Sequence, residues 1–514
     1  MLAPASLLAV AAAALCAHLR PFRFVTDDAY ISFVFARNLA QHGQLVFNLG
    51  ERVEGYTNFL WTVLLAGLMK LGWQPESSSI ALGTAFAIGT MTVCAWLAWR
   101  AFGERPSAWD ALPALLLAAV PGYACWSGGG LETQMFVFFA TLGSALYLAS
   151  DDALPLAGAF AFGLAALTRP EGNLFFALAM LHRSIVLLHR KTRPARRDLA
   201  SLAVFLLLVV PHLLWRHHYY GWWLPNTFYI KSSGGAGTWQ RGFYYLRRFA
   251  EAFLIPLLLA PPLLALALPR PARVNRVLGF AALAIPAFLI YVASVGGDFM
   301  GLFRFALPIV PLIAVVASLG LRVLLARASG KPLVRAAIVT VLLAGYAWHD
   351  VGVDRAALAI GSDNGIDTPG YLRWYTEDRA AIGRWFGRYA KPDDYAAVGG
   401  AGAQVYYSGI RSLDCFGLSD EYIAHRVPPV SNRPGHQKYA PLDYQLARRP
   451  TIITSNYYVI GNAPVVPPDA PAWRARGYHY VSVQVPGLSS PWYTFLKRMD
   501  RAIGPLAAVD NELN

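Results

Sequence analysis

The sequence predicts a mainly α, polytopic membrane protein of about eleven transmembrane helices, followed by a small extracytoplasmic α/β domain. Three observations predict it. Of 514 residues, 56% are hydrophobic and only 14% charged, with a mean hydropathy of +0.40, whereas a soluble domain carries nearer a quarter charged residues. Apolar runs of mostly spanning length fill the first two thirds of the chain and then stop. The net charge of +14 gathers in short loops between those runs, which reads as membrane topology rather than as affinity for nucleic acid. The lipid bilayer is therefore an expected partner, and no nucleic acid is.

The runs fall at 2–19, 78–99, 111–125, 132–150, 154–168, 173–189, 199–215, 252–268, 277–295, 305–323 and 332–348. The first lacks a basic leader and an evident small-residue cleavage site beside His18, Leu19 and Arg20, so an uncleaved helix is expected. A further run, 57–73, holds Asn58, Lys70 and several aromatics and is read as a surface helix lying on its side. With it left out and the N-terminus placed inside, the basic loops RKTRPARRD (190–198), PRPARVNR (269–276) and RVLLARASGK (322–331) all face the cytoplasm. The opposite loops 126–131, 169–172 and 296–304 then carry only Arg169 and Arg304 as basic residues, the positive-inside pattern. Residues 1–348 form the membrane domain, with a first outer loop at 20–77, and 349–514 the outer domain. In the latter, β-rich stretches (DYAAVGG, PTIITSNYYVI, YHYVSVQV) alternate with a helical pattern at RAAIGRWFGRY (379–389). The cysteines Cys16, Cys94, Cys125 and Cys415 show neither a CxxC nor metal-ligand spacing.

On this topology the polar residues collect on one side. Asp27 and Asp28 follow the first run directly, and a charge at the edge of an apolar phase is costly unless something uses it. The same loop supplies Arg37, Asn38, Arg52, Glu54, Tyr56 and Asn58. Glu132 lies in SGGGLETQ, Arg169 and Glu171 in LTRPEGN, Asn226 and Lys231 in WWLPNTFYIK, Asp298 and Arg304 in GGDFMGLFR. Five loops distant in sequence thus bring acids, cations and glycines to one membrane depth.

Plainer readings stand beside these. Thr26 is placed to cap a helix over 27–42, with Asp27 and Asp28 favouring its positive end. Ile31, Val34, Phe35 and Leu39 would turn one face of it to the membrane interface. Arg169-Pro-Glu-Gly172 reads equally as a turn. Gly128–Gly130 are either a plain loop or an approach for an anion to backbone amides. Arg304 can simply pair with Asp298, and His217 and His218 read as interfacial.

DDAYISFVFARNL, GQLVFNLGERVEGYTN, SGGGLET, LTRPEG, LPNTFYIK and GGDFMGLFRFALP together resemble the GT-C glycosyltransferases, most closely the AftB-type terminal β-(1→2) arabinofuranosyltransferases of mycobacteria. The likeness covers about 26–310, with a looser match through GLSDEYIAHR (417–426) and PGHQKYAP (434–441). It implies a GT-C fold in a bacterial cytoplasmic membrane, with the C-terminal domain outside. It also implies inverting transfer of a sugar, arabinofuranose first, from a polyprenyl monophosphate donor to a glycan, lipid or protein acceptor. By that analogy Asp27, then Asp28, is the general base. Arg169, Lys231, Arg304 and the Gly128–Gly130 loop would meet the phosphate, and Glu54, Glu132, Asn226 and Asp298 sugar hydroxyls. Trp222, Trp223 and Tyr56 are candidates to stack on sugar faces. No metal ligands are assigned, and the superfamily leaves a divalent cation open. The alternatives are a lipid-linked sugar transporter or flippase, although no repeated halves appear, and a GT-C enzyme using another sugar such as mannose.

Overall fold

Every one of the eleven apolar runs folds as helix, and their ends follow proline and glycine. The computed structural model describes residues 2–103, 105–150, 153–231, 235–328, 331–431, 433, 435–505 and 508–509; of these, the side chains of 2, 3, 231, 328, 508 and 509 are not described. Helix α1 (Leu2–Leu19) is followed by α2 (Asp27–His42), α3 (Phe59–Lys70) and α4 (Pro75–Phe102). Gly43 and Gly103, both at φ 69°, close α2 and α4 in the left-handed conformation that a side chain would resist. At 12 residues α3 extends only about 18 Å, too short to cross a bilayer core of about 30 Å.

The run 111–125 is not one straight span. It is α5 (Leu112–Ala119) and α6 (Pro121–Gly128), bent by 69°, because Pro121 cannot continue the helix and forces Val120 to an extended conformation. Helices α7 (Thr133–Ala149), α8 (Leu156–Thr168), α9 (Gly172–Arg190), α10 (Arg196–Tyr220), α11 (Asn226–Lys231), α12 (Ala236–Ala252) and α13 (Ile255–Ala265) follow. The last two join at 76°, where Leu254 sits at φ 48° ahead of Pro256. Then come α14 (Ala272–Ser294), α15 (Val310–Ala328) and α16 (Pro332–Leu358). Among the described residues, seven helices are long and apolar enough to span, or nine if each bent pair is one span. At 17 and 13 residues, α7 and α8 are shorter than a lone spanning helix.

Helix α16 runs ten residues past 348, to Leu358. After it, a hairpin of β1 (Ser362–Asp363) and β2 (Ile366–Asp367) leads into α17 (Pro369–Tyr389), longer than the predicted 379–389. A six-stranded mixed sheet is built from β3 (Tyr395–Val398), β4 (Arg411–Asp414), β5 (Ile452–Gly461), β6 (Tyr478–Gln484), β7 (Trp492–Arg498) and β8 (Ala508–Val509), in the order β4-β3-β5-β7-β6-β8. Its β3 strand pairs in parallel with both neighbours, and the other pairings are antiparallel. Short helices α18 (Ala403–Ser408), α19 (Glu421–Arg426), α20 (Leu442–Ala447) and α21 (Ala470–Arg474) connect the strands.

One helix joins the two halves. On one side of α2, Ala29, Tyr30, Phe33 and Ala36 enter the core of the helical bundle. On the other, Ile31, Val34 and Phe35 share a core with Ile382, Val398 and Val405 of the C-terminal sheet. The expectation of α2 as a half-exposed interfacial helix is therefore corrected, because the face predicted to meet lipid is covered by α17, α18 and β3.

Candidate active site

The first turn of α2 is held from both halves. The Thr26 amide donates to the Gly129 carbonyl (3.1 Å), which fixes the Asp27–Asp28 segment on the loop before α7. From the other half, the Ala403 amide donates to Asp27 Oδ1 at 2.8 Å. A Cβ on Gly402 would fall 2.0 Å from the Asp27 carbonyl oxygen, so only glycine lets that loop come so close. Thr26 occupies the N-cap position, but its hydroxyl makes no cap bond. Packing requires glycine in this loop: side chains at Gly128 and Gly130 would strike Leu19 and Val25 at 2.5 and 2.7 Å.

Two cavities meet at Asp28, which lines both. The smaller, about 80 Å³, lies among the bundle loops and is walled by Ser32, Tyr56, Asn58, Glu132, Arg169, Thr227, Arg304 and Phe305. We call it the bundle chamber. Here Glu132 accepts from Arg169 Nη1 at 2.6 Å and from Asn58 Nδ2 at 2.9 Å. Arg169 also binds Glu171 through Nε and Nη2, and Tyr291 donates its hydroxyl to the same carboxylate (3.0 Å). Burial pushes Glu132 up, but Arg169 and Arg304, helped by Asn58, overcome it and hold the acid below its ordinary value. Arg304 gives its Nε to Asp298 at 2.8 Å and lies over the Trp126 and Phe305 rings. Its two terminal nitrogens have no hydrogen-bond partner among the described residues. The loop before it is strained, with Leu302 and Phe303 both in the left-handed region at φ 55° and 54°. It is stitched to the hairpin of the C-terminal half by Asp367 N–H to Phe299 O and Gly301 N–H to Asp367 O.

The larger cavity, about 250 Å³, lies beneath the C-terminal half and is walled by Asp27, Asp28, Tyr371, Tyr375, Arg379, Asp414, Ser455 and Tyr458, among others. We call it the cap chamber. A register irregularity of β5 between Ile453 and Tyr458 re-aims Thr454, Ser455 and Asn456 into it. Burial, against the Ala403 amide and with Asp28 adding repulsion, pushes Asp27 up to about 6. Asp414, buried but accepting from the Ser419 and Phe416 amides, is likewise pushed up to about 6. Arg379 is 3% exposed and lies between the Tyr375 and Tyr458 rings, and its Nε has no hydrogen-bond partner.

Of the residues singled out in the sequence, Asp27, Asp28, Tyr56, Asn58, Glu132, Arg169 and Arg304 line these chambers. Glu171 and Asp298 stand behind the arginines as their partners. Arg37 does not reach either chamber: its guanidinium holds the Tyr406 carbonyl at 2.6 Å and covers that ring, so it anchors α18. Glu54 is paired with Arg216 of α10 at 2.9 Å, and burial, opposed by Arg216, pushes it up to about 7. Asn226 binds the Glu54 carbonyl through its amide, and its neighbour Thr227 is the one that faces the bundle chamber. The Lys231 side chain lies outside the described residues. Sequence reasoning missed Ser32 and Thr227, small hydroxyls with no signal of their own, and the whole cap-side set. Arg379 had one, as an arginine in the apolar face of the 379–389 pattern. Among the described residues no three His, Cys, Asp or Glu side chains converge as metal ligands would.

Comparison with known proteins places this arrangement. The fold is that of ArnT from Cupriavidus metallidurans, in the structure bound to undecaprenyl phosphate (TM-score 0.61, 15% identity, 98% of this chain and 99% of that one) and in the apo state (0.60, 14%, 98% of each). The terminal β-(1→2)-arabinofuranosyltransferase of Mycobacterium tuberculosis is 29% identical over 316 residues, 54% of this chain and 49% of that protein. The enzyme of the same name from Corynebacterium glutamicum is 30% identical over 322 residues, 54% and 45%. The chain spans about half the length of these curated relatives. Residues 370–496 match a family described as a domain of unknown function, DUF8728.

Proposed function

We propose that this protein is an inverting glycosyltransferase that moves a sugar, arabinofuranose, from a polyprenyl monophosphate to a cell-envelope glycan, lipid or protein on the outer side of the cytoplasmic membrane. The observation that carries the reading is the position of Asp28 where the two chambers meet. The similar arabinofuranosyltransferases and the undecaprenyl phosphate held by ArnT support the sugar and the donor class. The basic loops 190–198, 269–276 and 322–331 support an N-terminus inside and both chambers outside.

In this reading the donor phosphate enters the bundle chamber and the acceptor hydroxyl the cap chamber. Asp28, rather than Asp27, is the base. Asp28 lines both chambers, whereas Asp27 lines only the cap chamber. The acceptor oxygen attacks the anomeric carbon, its proton passes to the Asp28 carboxylate, and the carbon–oxygen bond to phosphate breaks with its electron pair leaving on the phosphate. Such base assistance contributes about 10²–10⁴-fold. Growing charge on the phosphate meets the terminal nitrogens of Arg304. Arg169, already spread over two carboxylates, positions Glu132, whose ionised oxygens suit a sugar hydroxyl.

The test is a transfer assay with radiolabelled polyprenyl-phosphate arabinose against its mannose and galactose equivalents, using membranes that hold this chain. Label transferred from the arabinose donor is the expected result. Transfer from a hexose donor alone would overturn the sugar assignment, and no transfer from any donor would overturn the enzyme reading.

A further inference from the structure

A third cavity, of about 730 Å³, opens on the far side of the segment that closes the chambers. Leu418 lines both chambers, and the next residue, Ser419, lines this groove. The groove is thus one residue thick away from the reaction centre. Its floor holds polar atoms left wanting. Ser419 is 5% exposed and its hydroxyl has no hydrogen-bond partner; His425 Nε2 is also buried without one. Both atoms lose their water on folding and gain nothing in return unless a ligand supplies the bond.

The walls carry aromatic planes. Trp222 stacks on His425 with ring centroids 3.9 Å apart, and Tyr422 on Tyr444 at 4.4 Å. Trp222 and Tyr422 remain 37% and 46% exposed. An exposed ring face offers a negative quadrupole, the surface on which the C–H face of a sugar ring packs. The charges of the lining balance: Glu51, Asp420 and Glu421 against Arg52, Arg426 and Arg448. Two of the six are already spent on each other, Arg448 and Asp420 at 3.2 Å, and Glu51 is paired with Arg411. Burial lowers His425 from its ordinary value, so its ring adds no charge near neutral pH. Arg52 and Arg426 against Glu421 then leave only one net positive charge, little to hold a polyanion, whereas a neutral polyol finds donors, acceptors and stacking faces together.

We infer that this groove binds a neutral oligosaccharide, and, resting on the transferase reading, that this is the acceptor chain behind the hydroxyl presented to Asp28. The site is tested without turnover, so its failure is separate from failure of the transferase reading. The detergent-solubilised full chain is titrated with neutral arabinan, mannan and glucan fragments and with a sulfated oligosaccharide of similar length. Saturable binding of at least one neutral fragment is expected. Tyr422→Ala and Ser419→Ala should each weaken it about tenfold, equivalent to about 1.4 kcal/mol, with thermal unfolding unchanged. Tyr422 is exposed and Ser419→Ala removes one oxygen, so neither substitution threatens the fold. No saturable neutral ligand, undiminished binding in both variants, or tighter binding of the sulfated probe would each overturn the assignment.

Discussion

In the bundle chamber the ionised groups arrive already paired: Glu132 and Glu171 share Arg169, and Arg304 holds Asp298. In the cap chamber Arg433 is paired with Asp367, but Asp27 leans on the backbone amides of Gly402 and Ala403, and Arg379 lies between two rings with its Nε unpartnered. Burial is similar in the two places, yet the acids respond in opposite ways. Glu132 is held low by guanidinium groups, while Asp27 and Asp414 are pushed up to about 6. Neighbouring charge, not depth, decides. In the proposed reaction the fixed ionic frame suits a phosphate received without rearrangement.

The comparison breaks most sharply at Asp28. Asp28→Asn keeps size and shape but removes the base, and the transfer rate should fall by about 10²–10⁴-fold with the melting temperature nearly unchanged. A rate close to that of the unaltered protein would remove Asp28 from the chemistry and return the role to Asp27. Next in size is Arg304→Lys, which keeps the charge near Asp298 but loses the planar fork. We expect kcat to fall about 10²-fold with acceptor KM unaltered. A change confined to acceptor KM would place the phosphate elsewhere.

Much of this was legible in the chain, and the limit is physical. Hydropathy marks where helices lie, and loop charges mark which loops share a side, so Asn58, Glu132, Arg169 and Arg304 could be grouped before any coordinates. Hydropathy does not say which way a loop residue turns. Arg37 and Glu54 found partners on α18 and α10 instead, and Thr227 faces the chamber where Asn226 was expected. The cap chamber was invisible for a different reason. It exists only because β3, α17 and α18 settle on α2, a contact between segments more than 300 residues apart that no local pattern encodes.

A smaller effect separates the two aspartates. Asp27 sits above its ordinary value, with Asp28 among the causes. Any activity that needs Asp27 ionised should decline as pH falls through about 6. Stability runs the other way: a raised carboxyl favours the folded state below its unfolded value of 3.8, and that contribution is withdrawn as pH rises through about 6. Asp27→Asn removes that titrating group, so a limb of kcat/KM near pH 6 that Asp27 sets should disappear. A limb that stays in place would show that the ionisation of Asp27 does not govern the rate.

The smallest predicted effect tests whether this first turn is held by local capping or by the two halves of the molecule. An N-cap threonine whose hydroxyl bonds the helix loses about 1 kcal/mol or more on truncation to alanine. The Thr26 hydroxyl makes no such bond; what fixes the turn is its amide on Gly129 and the Ala403 amide on Asp27, and Thr26→Ala leaves both intact. Denaturant or thermal unfolding of Thr26→Ala should therefore differ from the unaltered protein by about 0.5 kcal/mol or less, the range of substitutions that touch no special feature. Gly402→Ala, by contrast, would drive a methyl to 2.0 Å from the Asp27 carbonyl oxygen and prise α18 from α2. A large loss in Thr26→Ala with a mild effect in Gly402→Ala would mean that the aspartates are positioned by their own helix. The opposite order would place their alignment in the contact between bundle and cap, where the two chambers also meet.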